Sequence, residues 1–207
     1  NSFGVQLLWP FSLQRPELAI VFIVDLTLAA LLALPHLARL KTDWEPALIA
    51  ASRASLVAVV LYLTLAFMGR QLAVGQLAQE TGGRGFQYAF PEPFGAYRWR
   101  GVAKEEGAWK VFLIDSSRGT ATPPISERDD ADLEPARAAA ATPFGRRLLT
   151  FFKAPVWTVE RTVAGGAVVS VRDLRFDSLL LASANPFVYE FDVTPSGQAK
   201  PRRVGIW

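Results

Sequence analysis

The sequence predicts an α+β membrane protein: a transmembrane helical hairpin followed by a mainly antiparallel β domain with one helix. Three observations carry this. Two long apolar runs lie in the first third of the chain. Charge density about doubles beyond residue 85, from six Lys/Arg and five Asp/Glu before it to sixteen and fourteen after it. Beyond that point apolar and polar residues alternate with the period of two expected of half-buried strands. The domains so defined are a membrane region, 1–85, with transmembrane helices at about 18–38 and 47–69, and a soluble strand-rich domain, 86–207.

The first run, residues 18–34, has Asp25 as its only charge. Seventeen helical residues span roughly 26 Å, short for a hydrocarbon core of about 30 Å, and continuation through Pro35, His36, Leu37 and Ala38 supplies the rest. Arg39 and Lys41 close it as interfacial anchors. The second run, residues 54–68, has an apolar lead-in at 47–52, Arg53 between them and Arg70 at its end. Residues 71–79 are amphipathic and carry the helix out of the bilayer. In both runs apolar residues surround the helix, which points to lipid or to a fully buried core. The soluble alternative is a pair of buried core helices. The connection from Arg39 to Arg53, with three basic and two acidic residues, leaves the orientation undecided.

After the glycines at 82, 83 and 85, strands are expected at 86–90, 97–103 and 109–115, the last two turning at Glu105-Glu106-Gly107. Residues 116–133 read as a polar loop. Residues 134–153 read as helical, interrupted at Pro143. Strands at 156–163 and 168–176 flank Gly165-Gly166, a hairpin signal. A final pair, 187–193 and 201–206, turns at Pro195-Ser196-Gly197. About seven strands joined by tight turns favour an antiparallel sheet.

Composition excludes several chemistries. The net charge is +3 and spread along the chain, without the basic stripe that nucleic acid requires. There is no cysteine, hence no disulfide or thiolate site, and His36 is the single histidine, so a multi-histidine metal site needs residues beyond this chain. The glycines at 82–85 lack the Lys-Ser/Thr of a phosphate loop. Asp129, Asp130 and Asp132 lack the spacing of a calcium loop and read as solvated.

Asp25 stands out because a carboxylate inside an apolar helix costs about 2.5–3.5 kcal/mol on insertion scales. It either makes a helix–helix hydrogen bond or reaches water, or it serves a metal or a proton. Two strand motifs are also distinctive: Arg98-Trp99-Arg100-Gly101, and Asp173-Leu174-Arg175-Phe176, which places Asp173 and Arg175 on one face as a pair. Their plain reading is sheet packing plus a surface salt bridge worth about 0–1 kcal/mol.

Asn1-Ser2-Phe3-Gly4, Leu8-Trp9-Pro10-Phe11-Ser12, Ile23-Val24-Asp25, Pro91 with Pro93, Trp99-Arg100-Gly101 and Asp173-Leu174-Arg175-Phe176 together resemble the membrane-bound metal-dependent hydrolase family of bacterial inner-membrane proteins, the YdjM/YfhP type. The resemblance implies a multi-pass protein of the bacterial inner membrane. It also implies a preceding segment with a His and an Asp, missing from a chain that opens at Asn1, and a divalent metal such as zinc held by those residues with Asp25 and Asn1. Such an ion lowers the pKa of bound water toward about 7 and polarises the scissile bond. A site beside a bilayer fits a lipid-linked or amphiphilic substrate. The alternative is a non-enzymatic membrane-anchored binding protein that meets a protein partner through exposed aromatics such as Trp99, Trp109 and Trp157.

Overall fold

A computed structural model describes residues 18–22, 24–93, 95–180 and 187–202. They form an α+β protein with antiparallel sheets, and helix Glu45–Thr81 is long and apolar enough to cross a membrane. The chain divides into two compact units. The first comprises Asn1–Gly101, Phe112–Thr122 and Leu179–Leu181; the second comprises Val102–Val111, Pro123–Ser178 and Ala182–Trp207.

In the first unit, α1 (Leu26–Arg39) has fourteen residues. That is about 21 Å, too short for a hydrocarbon core. The helix expected from residue 18 begins eight residues later, with Asp25 as its N-cap. Asp25 has extended backbone, φ −85° and ψ 104°, and its carboxylate accepts the Leu28 N–H at 2.8 Å. Aspartate favours this N-cap position over a helix interior, where its side chain competes with the backbone.

α2 (Glu45–Thr81) has thirty-seven residues, about 55 Å, and continues twelve residues beyond the expected end at 69. Gly82 terminates it in the left-handed conformation, φ 66°, that an L side chain resists. The helix buries one narrow stripe: Ser55, Tyr62, Ala66, Gly69, Ala73 and Leu77. These positions recur every three or four residues apart from the wider first step, so they share a face. The first part of the stripe meets α1, where the Ser55 hydroxyl donates to Leu31 O at 2.7 Å. The last part meets a sheet.

That sheet is ordered β1 (Gln87–Pro91), β2 (Arg98–Glu105), β3 (Ala108–Asp115), β4 (Thr120–Ala121). β2 and β3 each contribute half their length to either unit. In the first unit Ala73 and Leu77 pack with Ala89, Trp99, Phe112 and Ile114. Small residues permit this contact. A Cβ on Gly69 would lie 2.3 Å from the Ala96 carbonyl oxygen, and one on Gly101 would lie 2.8 Å from Ile114 and 2.9 Å from Leu77.

In the second unit β5 (Ile125–Arg128) pairs antiparallel with the first half of β3, from Ala108↔Arg128 to Val111↔Ile125. β4 and β5 correct the loop expected over 116–133. Their polar composition hid them because both lie at sheet margins, where even Ile125 is exposed. The turn between β2 and β3 places Glu106 and Gly107 both at positive φ, 44° and 79°, the hand that matches strand twist.

The second sheet of this unit is a meander: β6 (Pro155–Arg161), β7 (Ala167–Asp173), β8 (Val188–Val193), β9 (Ala199–Pro201). β6 and β7 pair from Pro155↔Asp173 to Arg161↔Ala167, around the expected Gly165-Gly166 turn. The expected helical region resolves into α3 (Glu134–Ala141) and α4 (Pro143–Phe151). Thr142 is extended between them and caps α4 by accepting the Gly145 N–H at 2.9 Å, so the break falls at the proline. Val169, Val171 and Phe191 are fully buried in the unit's core beside Trp157 and Phe152. The part of the expected last strand at 203–206 lies outside the described residues.

Candidate functional site

The residues singled out by sequence fall into separate places. Asp25 stands at the start of α1, half-buried, with both carboxylate oxygens engaged. Oδ1 accepts the Leu28 N–H, and Oδ2 accepts the Tyr62 hydroxyl at 2.6 Å. Asp25 therefore makes the helix–helix hydrogen bond that was one of its two readings. Asn1 lies outside the described residues. His36 is exposed near the end of α1.

Trp99 and Arg100 point to opposite sides of β2. Trp99 faces α2 with no surface exposed, and its indole Nε1 has no hydrogen-bond partner among the described residues. Arg100 is equally buried and pairs with Glu92 at 2.9 Å. The Glu92 carboxylate also accepts the backbone N–H groups of Leu179 and Leu180, at 3.2 and 3.4 Å. The face of Phe90 lies 5.8 Å from the Arg100 guanidinium. A charge pair removed from water needs such additional donors to offset desolvation.

Asp173 and Arg175 do pair, at 3.1 Å, but the expected common strand face and surface setting are corrected. Both are buried. Asp173 ends β7, and Arg175 sits in a 3-10 turn, Leu174–Phe176, that Asp173 caps. The Asp173 carboxylate accepts the N–H groups of Lys153, Ala154 and Arg175, at 2.9, 3.2 and 2.9 Å. Arg175 donates to Phe151 O at 2.9 Å, and its guanidinium lies 4.6 and 4.7 Å from the ring centroids of Phe151 and Phe176. The motif is a joint that ties α4 to β6 and β7.

Sequence reasoning missed two of the buried carboxylates, Glu92 and Asp129. Asp129, read as part of a wet loop, is buried: Oδ1 accepts the N–H groups of Trp157 and Ala131, and Oδ2 accepts Lys104 Nζ at 2.7 Å and Trp109 Nε1 at 3.2 Å. The available signal was Trp109 itself, since a buried indole N–H seeks an acceptor. Trp99, Trp109 and Trp157 are 0, 2 and 3% exposed, so the exposed aromatic docking surface expected in the alternative reading is corrected too. Each is consumed by the core of its own unit.

Among the described residues no three His, Asp or Glu side chains stand together as a metal-holding group. The donor set on the described residues does not by itself fit a divalent ion. No protein-family model, no curated protein and no solved structure matches the chain.

Proposed function

We propose that the protein is embedded in a bilayer through α1 and α2 and works at the membrane surface through its strand-rich part. One observation carries this reading. The most apolar eighteen residues of α2 have a mean hydropathy of 2.0, yet only 11% of them are buried. A core helix of a soluble protein would have its apolar side chains covered. Here Leu56, Leu61 and Leu65 are 65, 59 and 59% exposed. Each fully exposed leucine moved from water into hydrocarbon contributes roughly 1.5–3 kcal/mol, so lipid is the natural covering. Protein of this design stays with membranes through alkaline carbonate extraction and leaves them with detergent. Elution as a dissolved monomer in plain buffer would remove the reading.

The finer assignment, a multi-pass metal-dependent hydrolase of the bacterial inner membrane, is a second proposal, and it rests on the resemblance. Its support is the depth of Asp25, where an ion would have to take the carboxylate from Leu28 N–H or the Tyr62 hydroxyl. Tyr62 lies midway between Arg53 and Arg70, so α2 crossing the bilayer carries its partner Asp25 to mid-depth. An ionisable side chain at that depth is a functional candidate by default. Asn1 is the second ligand the resemblance implies, and an amphiphilic ester or phosphoester the substrate. The test is the metal content of protein purified from its native membrane, compared with Asp25→Asn. Loss of one equivalent supports the hydrolase; equal content favours the non-enzymatic anchored protein.

A further inference from the structure

We propose that a groove beside Gly69, within the first compact unit, holds one acyl chain of a bilayer glycerophospholipid, with the lipid phosphate on Arg98. The inference rests on the bilayer reading above and adds a specific lipid site to it. The groove measures about 230 Å³. That is below the roughly 300–1,000 Å³ of ordinary small-molecule pockets, and it suits a single chain more than a compact solute. Its α2 wall is Leu65, Met68, Gly69 and Leu72, and Tyr97 and Ser116 face them. Leu65, Met68 and Leu72 are 59, 56 and 59% exposed, so the groove is continuous with the lipid-facing side of α2.

Depth and charge identify the lipid. The uncharged run of α2 ends between Gly69 and Arg70, so the groove lies where acyl chains give way to glycerol and phosphate. Tyr97, 41% exposed, is the kind of amphipathic ring that collects at this level. The Arg98 guanidinium returns over that ring, 5.4 Å from its centroid, and pairs with no carboxylate among the described residues. Arg118 is already paired with Asp115 at 3.9 Å, so Arg98 is the cation that seeks a counter-charge. A phosphate supplies the missing counter-charge in bidentate form.

The test is native mass spectrometry of the detergent-solubilised protein with phosphatidylglycerol, with diacylglycerol of the same chains, and with free glycerol phosphate as competitor. Phosphatidylglycerol is expected to be retained roughly tenfold better than diacylglycerol, the scale of one charge-assisted contact, and glycerol phosphate is expected not to displace it. Arg98→Gln should bring phosphatidylglycerol down to the diacylglycerol level. Met68→Trp or Leu72→Trp should fill the groove and abolish retention of both, whereas Leu56→Trp, elsewhere on α2, should leave retention unchanged. Equal retention of the two lipids, displacement by glycerol phosphate, or indifference to both groove-filling variants would overturn the site. Carbonate extraction of the same variants separates this failure from failure of the bilayer reading: protein that stays in the membrane but shows no groove dependence refutes the lipid site alone.

Discussion

The Tyr62 hydroxyl donates a 2.6 Å hydrogen bond to Asp25, joining the middle of α2 to the residue that starts α1. Asp25 thereby holds two elements at once, since its other oxygen caps α1. Tyr62→Phe removes one bond and leaves a charged acceptor, so it should destabilise the helix pair by about 1.5–3 kcal/mol. Asp25→Ala should cost more, because it adds the loss of a cap worth about 0.5–2 kcal/mol. Asp25→Asn keeps one acceptor oxygen but puts an amide NH2 donor in place of the other, so it should fall between the wild type and Asp25→Ala. Thermal unfolding in detergent, followed by circular dichroism, ranks the three.

Two glycines of α2 should respond in opposite directions. Gly69→Ala drives a methyl to 2.3 Å from the Ala96 carbonyl oxygen, and the helix and the segment before β2 must move apart. The expected loss is about 1–3 kcal/mol, the range for overpacking. Gly75→Ala meets nothing within 4 Å and replaces a poor helix former. It should stabilise by about 0.5–1 kcal/mol. Melting temperatures of the two variants, compared in one detergent, check the sign of each.

The Glu92–Arg100 pair, fully buried on both sides, should be far less tolerant of half-removal than of replacement. Arg100→Met leaves Glu92 charged in the interior and should cost about 3–5 kcal/mol. Adding Glu92→Leu removes that stranded charge but also the acceptor of the Leu179 and Leu180 N–H groups, so the double variant should recover part of the loss. A double-variant cycle on unfolding midpoints reads the coupling directly.

Much of the architecture was legible because its signals are local. The Gly107, Gly165 and Gly197 turns each sit between alternating segments, and Pro143 breaks its helix one residue after a capping threonine. The long apolar run announced α2. Asp25 was ambiguous for a physical reason: a carboxylate within an apolar run reads the same whether it interrupts a helix or begins one, and only backbone geometry separates the two. Glu92 and Asp129 were not legible at all. The donors that make them important come from Leu179 and Leu180, 87 and 88 positions away, and from Trp157, 28 positions away. Their own neighbours in sequence, prolines and further acids, looked like exposed loop.

Asp115 gives the acid limb of stability a definite sign. The Ser117 hydroxyl, 2.5 Å away, holds its carboxyl below the usual 3.8, with the Ser117 and Arg118 N–H groups assisting. A lowered folded value means a stabilising contribution that is complete above about pH 3.8 and is lost as pH falls through the folded value. Ser117→Ala should therefore lower stability at neutral pH and flatten the decline at acid pH. Denaturant midpoints of the two proteins should converge as pH drops below 3.8. A constant gap through that window would contradict the assignment.

Cysteine accessibility along α2 tests the bilayer account most directly, because the chain has no cysteine of its own to give background. Single cysteines at Leu56, Leu61 and Leu65, and at Gln79 and Glu80, are exposed to a membrane-impermeant maleimide in intact vesicles from both sides and again after detergent. The account predicts that the first three stay unlabelled until detergent or denaturant is added, while Gln79 and Glu80 label from one side at once. Labelling of the Leu61 position in intact vesicles as fast as the Glu80 position would show that water, not lipid, covers this face of the helix.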